Sequence, residues 1–512
     1  MTPPVADVCL VLEGTYPYVG GGVSSWVHQL IQGLPDLTFA LLLISPDRDT
    51  EQSRRYELPP NVVSFAEVFI HEVINDKGRR SSRSQKKNSW NLVRAFHNES
   101  GCPRHNMAHH MLDMMSHPTH PSLSVEDALF SRESWAFVLD RYQKLAPGTS
   151  FMDYFWTWRA VHAPLFQTLI AEAPPARIYH AVSTGYAGLL ATIAKRRSGC
   201  PMILTEHGIY VRERAIDLAR ADWIYEEPVR LRVAQARGNP LRRMWMDFFV
   251  TLGEFTYNAA DDIVTLFGGN EDLQHQLGAD TNKTQVIPNG VKMDVYWPLF
   301  EQRSTQPRPK RVGFVGRVVP IKDVKTLVKA CGIVNQALPD TEFWIVGPTD
   351  EDELYFRECE QLATSLGISG LRFTGPQDVK KIYPEIDIMV LTSISEGQPL
   401  TLLECACAGV PAVATDVGSC RELLEGGRPE DKALGPSGIV TPVGDPDETA
   451  RAILKLLSDR SVWQQMSQSG RKRIENHYQQ STVITSYRNL YGKYLYGNQA
   501  AYTGQAGQAG QR

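Results

Sequence analysis

Long apolar runs are scarce in this chain. The longest, FALLLIS (39–45), has the length of one buried strand, and nothing approaches the roughly 20 residues a membrane helix needs. The opening MTPPVADVCLVLEG has no basic stretch ahead of an apolar core, so it does not read as a secretory leader. A membrane role would have to come through a partner. Cysteine is sparse: Cys9, Cys102, Cys200, Cys331, Cys359, Cys405, Cys407 and Cys420 are scattered, with no metal-type double pair and no disulfide framework. Reduced thiols in a cytoplasmic protein are the simplest reading. Net charge is only −4, which argues against nucleic acid as a partner. Neither GxGxxG nor GxxxxGK[ST] occurs, so the standard dinucleotide and P-loop phosphate fingerprints are missing.

What is present is ordinary globular material, 42% apolar and 21% charged over 512 residues, enough for two domains. DVCLVLEG (7–14) reads as a buried strand running into a loop, and GGVSSWVHQLIQGL then has helical spacing. TFALLLIS is a second strand. Near residue 311 the pattern restarts: RVGFVGRVVPIKDVKTLVKACGI is again strand, glycine loop and helix. EFWIVG, DIMVLTS and PAVATD follow with helical stretches between them. Short apolar strands alternating with helices predict parallel sheets of βαβ type, in two α/β units facing across a cleft. A polar, proline-rich stretch within 286–311 reads as the linker.

Residues 70–175 break this rhythm and read as an insertion, partly helical. It holds a basic piece, KGRRSSRSQKKN, a histidine-rich piece, RHNMAHHMLDMMSHPTH, and an aromatic segment, FMDYFWTWRAVHAPLFQTL. His105 and His109 have a helical spacing, but no acids or thiols complete a metal set. The basic piece reads as a solvated loop or a contact for anionic lipid. The aromatic helix reads as core or as a docking face. Residues 497–512 are low-complexity and expected to be disordered.

SEGQPLTLLECACAG (395–409) carries a glutamate at each end of an almost uncharged run. Pro399 suits a first helical turn, so a buried helix from Pro399 to Ala408 is predicted. Glu404 would then be a buried carboxylate in need of donors, such as the paired hydroxyls of a ribose or a core arginine. The N–H groups of Leu400 and Thr401 at the helix start suit a phosphate. Glu396 lies just ahead of them. Arg317 and Lys322, in GRVVPIKD directly after a strand, suit a diphosphate, and Gly316 would permit close approach; alone, they would be surface charges. Gly20, Gly21 and Gly22 permit a backbone nest for an anion, or a flexible turn. Glu206 and His207 end the apolar strand of PMILTEHGIY, where residues lining a cleft would sit.

Together, EGQPLTLLE, GRVVPIKD, VIPNGV, TDVGSCRELLEGG and GIVTPVGDPDETARAI resemble the retaining glycosyltransferases of family four, which have the GT-B fold of two Rossmann-like domains. PVADVCLVLEGTYPYVGGGVSSWVHQLI, TEHGIYVRER and the insertion are similar to the cytosolic members that serve Pel exopolysaccharide synthesis. The resemblance implies transfer from a UDP-sugar donor to a glycan acceptor, with no metal and no cofactor. Glu404 would bind the ribose, Glu396 and His207 the reacting sugar, Arg317 and Lys322 the diphosphate, and Gly21 and Gly22 the phosphates and sugar. FTGPQDVKK would lie near the base. An inner-membrane Pel assembly is the implied partner, with recruitment to the inner face of the cytoplasmic membrane. One departure is Asp323, which stands where many relatives have glycine. The expected domains are 1–295, with the insertion and a returning C-terminal helix near 479–496, and 296–478. A UDP-sugar epimerase and a non-catalytic sugar-nucleotide scaffold remain open at this point.

Overall fold

The computed structural model describes residues 4–14, 16–48, 54–71, 83–98, 125–220, 239–303 and 308–497. They divide into two compact units, one built from 1–265, 271–285 and 488–512, the other from 266–270 and 286–487. The histidine-rich piece with His105 and His109, most of the basic piece ahead of Arg83, and the tail from 498 lie outside the described residues.

The first unit holds β1 (Ala6–Glu13), β2 (Phe39–Ser45), β3 (Val62–Phe69), β4 (Ala176–Ala181), β5 (Met202–Glu206), β6 (Asp262–Thr265) and β7 (Thr284–Val286). Their order is 3-2-1-4-5-6-7, parallel from β3 to β6. The second holds β8 (Arg311–Val315), β9 (Glu342–Val346), β10 (Leu371–Gly375), β11 (Ile388–Leu391), β12 (Ala412–Thr415) and β13 (Gly438–Thr441), in the order 10-9-8-11-12-13. Every neighbouring pair in this sheet is parallel. Both are α/β sheets of Rossmann order. Inner strands such as β2, β5, β11 and β12 are buried along their length because helices cover both faces, which is why they read as unbroken apolar runs. In each sheet the order reverses once, between β1 and β4 and between β8 and β11. The loops leaving those strands part there and leave a crevice at the carboxyl edge.

The insertion supplies helices Arg83–Asn98, Val125–Phe130, Arg132–Leu145 and Phe151–Ile170. Trp90, Phe137, Tyr154 and Trp158 form a core with Leu252 and Phe255 of the helix Pro240–Ala259. The aromatic segment is therefore mainly core, though Met152 and Trp156 are exposed. Ser131 and Ser150 cap two of these helices.

The division between units falls at 285/286, ahead of the expected 295/296, and the chain returns at 487/488, inside the last helix, Gln480–Leu495. The reason is local. Ile287 and Val291 are buried, the Val291 N–H donates to the Tyr478 carbonyl, and the Gln480 N–H donates back to the Val291 carbonyl. Gly290 lies so close to Gln480 that a Cβ there would sit 2.5 Å from its Cα. VIPNGV is thus stitched into the second unit.

Arg473 fastens the far side of that unit. Its side chain is 1% exposed, pairs with Asp431 at 2.5 Å and donates to Ser437 Oγ and to the carbonyls of Leu424 and Gly435. Asp431→Ala strands this guanidinium without a counter-charge, so a loss of about 3–5 kcal/mol is expected. Urea unfolding followed by circular dichroism measures it, and a midpoint equal to wild type would contradict the assignment.

Candidate active site

In the second unit, the site is built on the loops after β8 and β11. Gly316 donates its N–H to the Val346 carbonyl at 2.9 Å, while Gly347, at φ +145°, packs so tightly that a Cβ would lie 2.0 Å from the Gly316 oxygen. The loop then ends in a short 3-10 turn, Pro320–Lys322. Asp323 adopts left-handed backbone, φ 45° and ψ 51°, and caps the helix Val324–Ala337 by accepting from Thr326 N and Oγ1. Glycine suits such a position without strain, and aspartate tolerates it when its side chain bonds locally. The departure at Asp323 is therefore a capping substitution, not a disruption of the loop.

The β11 loop is laced to the β8 loop. Thr392 Oγ1 donates to the carbonyls of Lys322 and Asp323, and the Ile394 N–H donates to the Ile321 carbonyl. This lacing brings Lys322 Nζ to 2.6 Å from Glu396 Oε1, with side chains only 19% and 10% exposed. Ser393 Oγ donates to the same oxygen at 2.6 Å. Gly418, φ +53°, supports the loop from beneath: a Cβ there would fall 2.1 Å from the Glu396 carbonyl oxygen. Its neighbour Ser419 donates its N–H to the Gly397 carbonyl at 2.9 Å. Arg317 stays outside this cluster. It is exposed and pairs with Glu351 at 2.5 Å, a surface pair that solvent screens.

The helix runs from Leu400 to Cys407, one residue inside each predicted end, because Pro399 takes an extended conformation and serves as the cap. Leu400 and Thr401 form its first turn. Leu402, Leu403, Cys405 and Cys407 are buried, so its apolar composition does reflect core packing. Glu404 points not to a core arginine but to two phenols. Tyr296 Oη donates to Oε1 at 3.0 Å and Tyr383 Oη to Oε2 at 2.7 Å. Burial raises the carboxyl's pKa, and the two phenols pull it back. Tyr383 follows the FTGPQDVKK segment, whose Asp378 caps the turn Val379–Ile382. Neither tyrosine was visible as a partner in the sequence, since Tyr296 is 108 positions away.

In the first unit, β1 leads to the helix Gly22–Gly33, with Gly21 as its cap. Gly21 has φ 165°, and among the described residues none of Gly20, Gly21 and Gly22 is left-handed. The predicted nest, which needs a left-handed residue, is not formed in this structure. A Cβ on Gly21 or Gly22 would meet nothing within 4 Å. His207 follows β5, half-buried, its ring 4.6 Å from that of Trp26 on the helix after the glycines. His207 and the glycine loop therefore share one end of this sheet.

Glu206, expected to line a cleft, is instead fully buried. It accepts from Thr184 Oγ1, Tyr210 N, Tyr257 Oη and Gln274 Nε2. A second anchor, missed in the sequence, is Glu13 at the end of β1, which accepts from Tyr210 Oη at 2.8 Å and Ser183 Oγ at 3.2 Å. Gly185 leaves room for both partners: its Cβ would lie 2.5 Å from the Tyr210 ring. Through Tyr210, these two carboxylates hold the turn that presents His207.

Burial lowers the pKa of His207 to about 4 and that of His180 to about 3. His180 is bonded to Tyr491 Oη and Thr205 Oγ1 as a neutral ring. Since both folded values lie below the ordinary 6.5, the unfolded chain binds more protons below that pH. The stability these rings contribute is present above pH ~6.5 and is lost as pH falls towards 4 and then 3. The urea midpoint should drop between pH 7 and 4.5, and His180→Gln should flatten that drop. An equal slope in both proteins would contradict the assignment.

Comparison with known proteins gives the family and the fold. Residues 6–282 match the family model described as Domain of unknown function (DUF3492), and residues 309–459 match Glycosyl transferases group 1. The chain is 27% identical over 203 residues to a D-inositol 3-phosphate glycosyltransferase of Corynebacterium glutamicum (strain R), covering 37% of this chain and 47% of that protein. It is 23% identical over 320 residues to the putative glycosyltransferase EpsD of Bacillus subtilis (strain 168), covering 61% and 75%. The match thus spans about half the length of the first of these curated relatives. Among solved structures, sucrose-phosphate synthase from Thermosynechococcus elongatus superposes with a TM-score of 0.58 at 15% identity, over 95% of this chain and 98% of that one. Anabaena HepE, in complex with UDP and glucose, gives 0.57 at 15%, over 95% and 99%. At such identities the likeness establishes the fold, which is that of GT-B glycosyltransferases. The chain belongs to the DUF3492 family, and its second unit carries a group 1 glycosyltransferase domain.

Proposed function

We propose that this chain is a retaining glycosyltransferase that moves a sugar, an N-acetylhexosamine or glucose, from a UDP-sugar to a growing exopolysaccharide. The observation that carries the reading is Glu404, oriented by Tyr296 and Tyr383 on the helix whose first turn holds Leu400 and Thr401. Each carboxylate oxygen accepts two hydrogen bonds and each receives one from a phenol, so two acceptor positions remain for the vicinal hydroxyls of a ribose. One turn away, the helix N-terminus suits the diphosphate. Arg317 exchanges Glu351 for a phosphate oxygen, an easy exchange for an exposed pair.

Lys322 serves both the diphosphate and Glu396, since an ammonium has three donors and Glu396 occupies one. Paired with Lys322, the Glu396 carboxylate stabilises positive charge at the anomeric carbon as the C–O bond breaks and UDP leaves. It is not assigned as a nucleophile. The paired carboxylates of a retaining hydrolase flank the scissile bond, and here Glu404 is committed to the ribose. His207 is neutral at working pH, so it meets the sugar as a hydrogen-bonding ring rather than as a cation. Gly21 and Gly22 leave the space the donor needs. No metal is required in this scheme, because protein cations take the diphosphate's charge.

UDP as the nucleotide is supported by the UDP complexes of Anabaena HepE. The Pel-like product, a cytoplasmic location and an inner-membrane Pel assembly as partner rest on the resemblance of 4–31, 205–214 and the insertion to PelF. Among the described residues no helix is long and apolar enough to cross a membrane, so recruitment would act through a partner.

Glu404→Ala is expected to weaken UDP binding about 100-fold or more, the value of two hydrogen bonds to a charged group at about 1.5 kcal/mol or more each. Glu396→Ala should leave UDP affinity within about threefold and lower turnover about 100-fold or more. Calorimetric titration of UDP and an assay of UDP release separate the two effects. Wild-type UDP affinity in Glu404→Ala would refute the ribose assignment. Gly21→Val should fold with an unchanged melting temperature, since its side chain enters open space, yet lose transfer. Full transfer activity in that variant would remove Gly21 from the site.

A further inference from the structure

Gln398 lies between the two glutamates, in the middle of an apolar run, and its side chain is 7% exposed. A buried amide there must be satisfied on both its faces. Its Oε1 accepts the Asn289 N–H at 2.5 Å, and its Nε2 faces the Leu266 carbonyl at 3.4 Å. Its backbone carbonyl accepts from Asn289 Nδ2 at 3.3 Å. Leu266 and Asn289 both belong to segments where the chain has just crossed from the first unit to the second, at 265/266 and 285/286. Nothing in the transferase chemistry above uses this amide.

We propose that Gln398 is a positioning residue that locks the loop bearing Glu396 to these two crossing segments. The loop has other restraints: the bonds of Thr392 and Ile394 to the β8 loop, Lys322 and Ser393 on the Glu396 side chain, and the Gly418–Ser419 turn beneath its backbone. Those fix it towards β8 and β12. Gln398 fixes it towards the crossings, at the residue that joins Glu396 to the helix of Glu404. Only an amide meets both partners there, one a donor and the other an acceptor. A carboxylate would accept from Asn289 and repel the Leu266 oxygen, while an apolar side chain would leave two buried backbone groups unpaired. With the amide removed, the Glu396 side chain loses its fixed distance to the reacting carbon, whereas Glu404, held by Tyr296 and Tyr383, keeps its place.

The effect on turnover rests on the transferase reading, so the test has two independent arms. In the first, hydrogen–deuterium exchange compares wild type with Gln398→Met. Faster exchange confined to 286–292 and 394–400 is expected, and unchanged exchange there would overturn the proposal whatever the enzyme's activity. In the second, turnover and UDP affinity are compared for wild type, Gln398→Met and Gln398→Glu. Both variants should lose about tenfold in turnover with UDP affinity kept within about threefold. Gln398→Glu should regain turnover relative to wild type as pH falls, because its neutral carboxyl can again donate to the Leu266 carbonyl. Gln398→Met should show no such recovery. Wild-type turnover in both variants, equal losses of turnover and UDP affinity, or identical pH profiles would each overturn it. If the wild-type protein processes no sugar nucleotide, it is the transferase reading that fails, and the exchange arm still decides the positioning role.

Discussion

The pairing of Lys322 with Glu396 is the constraint around which the second unit is arranged. A carboxylate only 10% exposed needs partners for its oxygens, and Lys322 and Ser393 supply a cation and a hydroxyl donor on one of them. Lysine and glutamate stand 74 positions apart, and they meet because β8 and β11 are neighbours where the sheet order reverses. Other local features follow from keeping that meeting exact to a fraction of an ångström. Thr392 laces the two loops, Asp323 turns the chain through a left-handed residue into its helix, and Gly418 gives the Glu396 backbone a close-fitting floor.

The two glutamates of this segment are separated by chemistry as well as by eight positions. Glu396 is paired with a cation, Lys322. Glu404 is bound to phenols, in a setting where burial raises its pKa. The first suits charge stabilisation at a reacting centre, and the second suits neutral hydroxyl donors such as those of a ribose. The first unit makes a different use of acids. Glu206 and Glu13 are consumed by structure, and what they present is the turn carrying a neutral His207.

Much of this was legible in the sequence because parallel strands buried on both faces are continuous apolar runs. FALLLIS, EFWIVG, DIMVLTS and PAVATD all mark strands, and Arg317 and Lys322 follow the strand RVGFV, Glu396 follows DIMVLTS and His207 follows MILTE, each in the loop at the strand's carboxyl end. What the sequence hid were long-range partners. Tyr296, Tyr383 and Ser393 carry no local signal of their bonds to the glutamates. The one available hint was Gln398, a polar residue in an apolar run, which a requirement for buried partners could have flagged. The glycine run misled in a different way: three glycines permit a nest but do not compel one, and the backbone here stays out of the left-handed region. Glu206 misled because the end of a strand looks open in sequence, whereas Gln274 and Tyr257, from helices packed against β5, close over it.

The central claim is that the acid cluster at the β8–β11 crevice transfers sugar from UDP. Proton NMR of the anomeric region tests it most directly, with the purified chain incubated in turn with UDP-glucose, UDP-N-acetylglucosamine and UDP-N-acetylgalactosamine, without acceptor. Slow conversion of one donor to UDP and free sugar, released first as the α-anomer, is the predicted result. A new UDP-sugar signal with no UDP would contradict transfer and make the chain an epimerase.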